Sequence, residues 1–182
     1  IADRQRVKPE GGGLESRDLW AAYRAFLLKS LDPKIVSGER RLRVVVDAAS
    51  GMGGVMVPKV FGEIAGLEII PLGFKTTGDF THEPNPLIDS NLDLARATVR
   101  EHQADFGVYF DGDADRCMMI DDTGRSIGCD LLFAWMVDTA LRAKRGGAFV
   151  YDLRSSRVVR EVIKARGGTP VESRVGHVFK KS

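Results

Sequence analysis

Phe106-Gly107-Val108-Tyr109-Phe110-Asp111-Gly112-Asp113-Ala114-Asp115-Arg116 sets three alternating aspartates and an arginine directly after a short apolar run. The run from Phe106 to Phe110 reads as a strand that feeds straight into the acidic triplet. Three carboxylates within five residues repel one another, so folding them onto one loop is costly unless a cation neutralises them. An all-oxygen donor set suits a hard divalent ion such as Mg²⁺, Ca²⁺ or Mn²⁺, and the motif holds no His or Cys to favour zinc. Arg116 adds a fork of donors that matches two phosphate oxygens at once. A calcium-hand loop needs Gly at its sixth position and Glu at its twelfth, where this chain has Arg116 and Asp122. The plain alternative is a solvated acidic turn, but a strand running into the triplet resembles a site more than a turn.

Upstream of the loop, Leu42 to Val46 is a β-branched run without alternation, as expected of a strand buried on both faces of a parallel sheet, and it delivers Asp47 to a loop. Ala48 to Gly54 then opens a helix expected to reach about Ala65. Its glycines match neither dinucleotide nor P-loop spacing, so close backbone packing is their expected role. Leu67 to Leu72 is a second strand, followed by the stiff segment His82-Glu83-Pro84-Asn85-Pro86, with His82 read as a structural histidine. Asn91 is expected to cap a helix carrying Leu92, Ala95 and Val99. Strand and helix alternating through short connections imply a parallel sheet whose ligands gather at the carboxyl ends of its strands, where Asp111, Asp113 and Asp115 lie.

Downstream, Cys117 to Ile120 and Arg125 to Ile127 read as a hairpin about Asp121-Asp122-Thr123-Gly124. A helix is expected from Asp130 to about Lys144, its apolar stripe in the core, and Arg145-Gly146-Gly147 marks a boundary. Beyond it, a strand over Ala148 to Tyr151, a helix with Val158, Val159, Val162 and Ile163, and a strand over Thr169 to Arg174 form a single strand-helix-strand unit. At the other end, residues 1–14 read as a polar lead-in. Leu19, Trp20, Tyr23, Phe26, Leu27 and Leu31 recur at helical spacing behind Ser16 as N-cap, with the stripe expected in the core. The expected fold is therefore α/β, with a mixed, mainly parallel sheet flanked by helices and a partial second α/β domain. The divisions are residues 1–32, 33–145 and 146–182, a piece cut from something longer.

The 182 residues, 43% hydrophobic, suffice for one substantial core, and a net charge of +2 gives no reason to expect nucleic acid. No apolar run approaches the ~18 residues of a membrane span. Cys117 and Cys129 make no disulfide framework, are read as structural, and fit a reducing, cytoplasmic setting.

Together these segments resemble the α-D-phosphohexomutase superfamily, most closely its phosphomannomutase and phosphoglucomutase branch. Asp111-Gly112-Asp113-Ala114-Asp115-Arg116 is similar to the family's metal loop, while Asp47 to Gly54 and His82 to Pro86 resemble flanking family segments. Arg154-Ser155-Ser156 resembles a basic residue before a small polar pair, often Lys in relatives, and Val175-Gly176-His177 resembles the family's T-G-H with Val for Thr.

The resemblance implies the end of a first domain, a complete second and the opening of a third. The enzyme implied is an isomerase interconverting hexose 6-phosphate and hexose 1-phosphate, of mannose or glucose, through a phosphoserine and a 1,6-bisphosphate. It further implies Mg²⁺ on Asp111, Asp113 and Asp115, phosphate on Arg116, and His177, Arg154 and Arg116 as catalytic residues. The implied partners are a hexose phosphate and the remaining domains of the same enzyme. The phosphoserine motif T-A-S-H-N-P is absent from the sequence, so the isolated piece is expected to be inactive. Two rival readings stand: a haloacid-dehalogenase-like phosphatase using Asp111 as nucleophile, and a non-catalytic metal-stabilised module.

Overall fold

The computed structural model describes residues 13–76, 78, 80 and 83–176. The first unit is built on a five-stranded sheet of β1 (Leu42–Asp47), β2 (Leu67–Leu72), β3 (Phe106–Phe110), β4 (Cys117–Asp121) and β5 (Ser126–Ile127), in the order β2-β1-β3-β4-β5. β1 is parallel to both β2 and β3, and the β4–β5 hairpin adds antiparallel to the β3 edge. The parallel strands are joined by helices, α3 (Gly53–Phe61) after β1 and α4 (Asp93–Glu101) before β3.

The β-branched run of β1 is buried on both faces, as its sequence requires. Val45 packs with Leu92, Ala95 and Val99 of the α4 side, and Val44 and Val46 pack with Val57 of α3. Burial of several such side chains, each worth ~1.5–3 kcal/mol, fixes β1 as the middle one of the three parallel strands. Its carboxyl end, and that of β3, therefore sit on rigid supports.

Two short helices precede the sheet, α1 (Trp20–Leu28) and α2 (Pro33–Ser37). α1 starts later than Ser16 because Asp18 Oδ1 accepts the Trp20 N–H at 2.9 Å. Its aromatic stripe is not core among the described residues: Leu19, Tyr23 and Phe26 are exposed. Mixed contacts hold α1 on α3, with Lys59 Nζ 4.7 Å above the Trp20 ring and Arg24 Nε donating to the Val60 carbonyl at 3.0 Å. α3 ends at Phe61 rather than near Ala65 and keeps Pro58 inside it. Asn91 does not cap α4. It lies in a 3-10 turn over Asp89–Leu92, and its amide donates to the carbonyls of Glu83 and Asn85, pinning the proline-rich loop.

The second unit has α5 (Cys129–Ala143), then β6 (Ala148–Asp152), α6 (Arg157–Ala165) and β7 (Thr169–Ser173), with β6 and β7 parallel. Val137 and Leu141 of α5 share a core with Tyr151, Val159 and Ile163, so this core reaches back across residues 145/146 into α5. Asp130 of α5 also accepts the Ser156 N–H at 2.9 Å, at the entrance to α6. Only one face of α5 is buried. Leu131, Trp135 and Met136, expected in the core, are exposed because α6 meets the opposite face.

Candidate metal centre

Asp111 lies at the carboxyl end of β3 and is only 1% exposed. A buried carboxylate is costly unless hydrogen bonded, and the loop's own Arg116 supplies the donors. Asp111 Oδ1 accepts the Arg116 backbone N–H at 3.0 Å and Oδ2 accepts Arg116 Nε at 2.6 Å. The Asp111 N–H in turn donates to the Arg116 carbonyl at 3.1 Å, closing the loop at its base. Burial pushes the Asp111 carboxyl up, but these Arg116 bonds outweigh it and hold the group below the usual carboxylate range.

Between them the chain turns sharply, with Ala114 at φ 61° in the left-handed region and its N–H bonded to the Asp111 carbonyl at 3.1 Å. This turn brings Asp113 and Asp115 back beside Asp111. One carboxylate oxygen from each of the three residues lies within 4.8 Å of the others. Asp115 is pushed up by its contact with Asp111 and by the Asp113 charge, the signature of crowded carboxylates. Three hard oxygen donors, one buried and two exposed, fit a divalent cation approached from solvent.

The loop is braced from two sides. Met52 donates its backbone N–H to the Gly112 carbonyl at 2.9 Å, and a Cβ on Gly51 would meet that same oxygen at 2.4 Å. The glycines after β1 thus serve close backbone approach, as their spacing suggests. From the other side Pro84 would lie 3.2 Å from a Cβ on Gly112, so the stiff segment frames the loop; His82 itself lies outside the described residues. An open cleft of about 580 Å³ runs from Asp113 and Ala114 past Met52 and Met56 to Trp20 and Tyr23 of α1, which gives part of the exposed stripe a place beside the site.

Two further carboxylates repeat the strand-end placement. Asp47 ends β1, is buried, and accepts the Ala49 N–H at 2.9 Å. Asp152 ends β6, is buried, and accepts the Arg154 N–H at 3.0 Å, with Arg154 Nη2 3.0 Å from its other oxygen. That bond raises the Arg154 guanidinium pKa, fixing its positive charge. Tyr109, fully buried beneath the loop, has a hydroxyl without a partner among the described residues. Burial first, then Asp47 and Asp111, pushes it up to about 12. The pattern that could have flagged Asp47 and Asp152 is the one that flagged Asp111, an acid ending an apolar run. His177 lies outside the described residues, whereas Arg154 and the metal-loop residues lie within them.

An α/β unit with a carboxylate trio after the carboxyl end of the parallel strand β3, held by an arginine of the same loop, has the form of a candidate metal-loop domain. The domain II model of the phosphoglucomutase/phosphomannomutase family, described as alpha/beta/alpha, matches residues 21–124. The chain belongs to that family. It is 34% identical over 167 residues to a Xanthomonas campestris protein named phosphohexose mutases, an alignment covering 91% of this chain and 36% of that one. Among solved structures, a phosphoglucomutase/phosphomannomutase family protein of Burkholderia thailandensis superposes with TM-score 0.83 at 27% identity, covering 92% of this chain and 35% of that one. An Aspergillus fumigatus N-acetylphosphoglucosamine mutase, solved in complex with GlcNAc-6P and magnesium, shares the fold at TM-score 0.55 and 17% identity, covering 81% of this chain and 31% of that one. The chain thus spans about a third of the length of these relatives. No helix among the described residues is long and apolar enough to cross a membrane.

Proposed function

We propose that this chain is the metal-loop portion of an enzyme that interconverts hexose 6-phosphate and hexose 1-phosphate, of mannose or glucose, through a phosphoserine and a 1,6-bisphosphate. The observation that carries the reading is the trio of Asp111, Asp113 and Asp115, with oxygens within 4.8 Å of one another, beside an arginine tied to Asp111. These three residues would hold Mg²⁺, as the oxygen donor set and the magnesium-bound Aspergillus relative support. Bound there, the ion supplies charge neutralisation for a phosphoryl group in transfer.

The protein's own groups do the rest. Arg116 commits Nε to Asp111, which aims its guanidinium and leaves the terminal nitrogens to grip phosphoryl oxygens. Arg154, kept cationic by Asp152, acts as an electrostatic stabiliser of the attacking hydroxyl rather than as a base. His177 is then the general acid/base that moves the proton of that hydroxyl. The remaining domains supply the serine and the sugar contacts. We further place the start of the third domain at α5, because α5 shares its core with β6 and α6. With two cysteines in 182 residues, the composition supports a cytoplasmic setting.

The phosphatase alternative is disfavoured by the match of residues 21–124 to the phosphoglucomutase/phosphomannomutase domain II model. The test is Asp113→Asn in the enzyme that carries this chain, assayed for conversion of mannose 1-phosphate and glucose 1-phosphate. Most of the activity should vanish while the fold persists. Unchanged turnover at saturating Mg²⁺ would refute the metal assignment, and beryllofluoride trapped on Asp111 would revive the phosphatase.

A further inference from the structure

The two helices of the second unit run out in the same composition. After Leu141 the chain reads Arg142-Ala143-Lys144-Arg145 before Gly146-Gly147, and at the end of α6 it reads Lys164-Ala165-Arg166 before Gly167-Gly168. Leu141, Arg142, Arg145, Ala165, Arg166 and Gly167 line an open cavity of about 650 Å³ where these two ends meet. One carboxylate serves its arginines: Asp138 Oδ2 accepts Arg142 Nε at 2.8 Å, and Oδ1 accepts Arg166 Nε. That orients both guanidiniums and leaves each its terminal nitrogens for another acceptor. Arg145 is exposed and has no ion pair among the described residues. Basic residues are common at helix ends because each end carries about half a negative charge. Here they exceed that need. Three guanidiniums against one carboxylate leave about two positive charges, the two helix ends reduce this to about one, and Lys144 and Lys164 at the same ends raise it to about three. Among the described residues, no carboxylate lines the cavity to accept a sugar hydroxyl and no aromatic ring lines it to stack on a base. The cavity is also remote from Arg154. Gly128, Cys129 and Asp130 at the start of α5 line a cleft with Arg154, and the 15 residues of α5 put its other end about 20 Å away.

We propose that this cavity is a second anion site, which takes a small molecule carrying two linked phosphate groups. Its volume is that of a small-molecule site, and its charge calls for a polyanion. Each guanidinium can meet two phosphate oxygens at once, so three of them offer more donors than one phosphate group can use and suit two groups joined together. The lining recognises the diphosphate itself and adds nothing for a sugar or a base. Binding there ties the carboxyl ends of α5 and α6 through one ligand, on the side of the second unit away from Arg154.

The probe is inorganic pyrophosphate, titrated by calorimetry in Mg²⁺-free buffer into the chain carrying Arg116→Gln and Arg154→Gln, which lacks the guanidiniums assigned to the transferring phosphoryl group. One pyrophosphate should bind per chain, and orthophosphate should bind at least about tenfold more weakly. Adding Arg145→Gln, which breaks no ion pair, should weaken pyrophosphate binding at least about tenfold, the worth of one charge-assisted bond. Arg160→Gln, an equal change of charge at an exposed position of α6 outside the cavity, should leave the affinity within about twofold. ADP, which carries the same group on a nucleoside, should bind within about threefold of pyrophosphate. No saturable binding up to about 10 mM, equal weakening by Arg145→Gln and Arg160→Gln, or ADP bound at least about tenfold tighter than pyrophosphate would each overturn the proposal. With Arg116 and Arg154 already replaced, any of these failures leaves the phosphoryl-transfer reading untouched.

Discussion

The loops after β3 and after β6 are built from the same parts and end with different charge. In each, a buried aspartate at the carboxyl end of a parallel strand holds an arginine of the same loop, Arg116 Nε at 2.6 Å from Asp111 and Arg154 Nη2 at 3.0 Å from Asp152. The other side chains of the two loops differ. Asp113 and Asp115 set three carboxylates against one guanidinium in the first loop, whereas Ser155 and Ser156 leave one against one in the second. The aspartate–arginine pair is thus common to both loops, and on the proposed reading the added acids are what would draw a cation to the first loop, whereas the second would offer Arg154 to an anion.

Removing the buried acid from each loop is the sharpest way to break this comparison. Asp111→Asn should cost about 1.5–3 kcal/mol in urea denaturation, the range for hydrogen bonds to a charged buried group, and should abolish Mg²⁺ binding measured by calorimetry. Asp152→Asn should cost less, about 1 kcal/mol, because the Arg154 side chain is 73% exposed against 55% for Arg116 and water recovers more of the loss. It should leave Mg²⁺ binding unchanged. Weakened Mg²⁺ binding in Asp152→Asn would mean that the two loops act as one site.

Gly51→Ala probes the backbone bracing of the first loop by the segment after β1. The new Cβ would sit 2.4 Å from the Gly112 carbonyl, with backbone on both sides and no flexible side chain to yield. A loss of about 1–3 kcal/mol should result, as overpacking typically costs, with weaker Mg²⁺ binding because Gly112 lies between two ligands. Unaltered Mg²⁺ affinity would show the trio to be independent of its brace.

Most of this architecture was legible because it depends on local pattern. The apolar runs of β1 and β3 and the Asp121 to Gly124 turn each announce themselves over a few residues and are found as strands and turn, and the acidic triplet, equally plain in sequence, brings its three carboxylates within 4.8 Å of one another. The errors fall where burial depends on partners distant in sequence. Tyr23 and Phe26 of α1 and Leu131, Trp135 and Met136 of α5 have helical spacing, yet that spacing cannot say how much of an apolar stripe a neighbour covers. Asn91 has the chemistry of a cap but is spent on the Glu83 and Asn85 carbonyls, a tertiary contact invisible in sequence. The trio's closure rests on Ala114 at φ 61°, a conformation alanine does not announce.

A smaller effect separates ligand charge from fold. Asp113 is exposed, so Asp113→Asn should leave stability within about 0.5 kcal/mol, the usual range for surface changes. Its Mg²⁺ affinity should nevertheless fall by about an order of magnitude, since the number of ligand charges sets affinity at oxygen sites. A stability loss comparable to that of Asp111→Asn would place Asp113 in the scaffold rather than among the added acids.

The smallest effect concerns a third aspartate turn, at the end of β4, which is satisfied without any cation. Asp121 Oδ1 accepts from the Thr123 N–H and hydroxyl at 3.0 and 2.6 Å and from the Arg125 N–H at 2.8 Å, and Oδ2 accepts Arg125 Nε at 3.1 Å. The Thr123 hydroxyl first, then the Arg125 backbone N–H, push its carboxyl down to about 2 against the opposing effect of burial. A carboxyl lower in the folded than in the unfolded chain, where it is about 3.9, stabilises the fold fully above the unfolded value. That contribution is lost as the pH falls through about 2. The stability gap between the native chain and Asp121→Asn, tracked by urea denaturation from neutral pH downward, should therefore be constant to about pH 4 and narrow below it. It should be the same with and without Mg²⁺, because the carboxylate's acceptor positions are already filled by protein donors. A gap that widens on acidification would reverse the sign of the linkage, and a gap that responds to Mg²⁺ would extend the metal site into the hairpin.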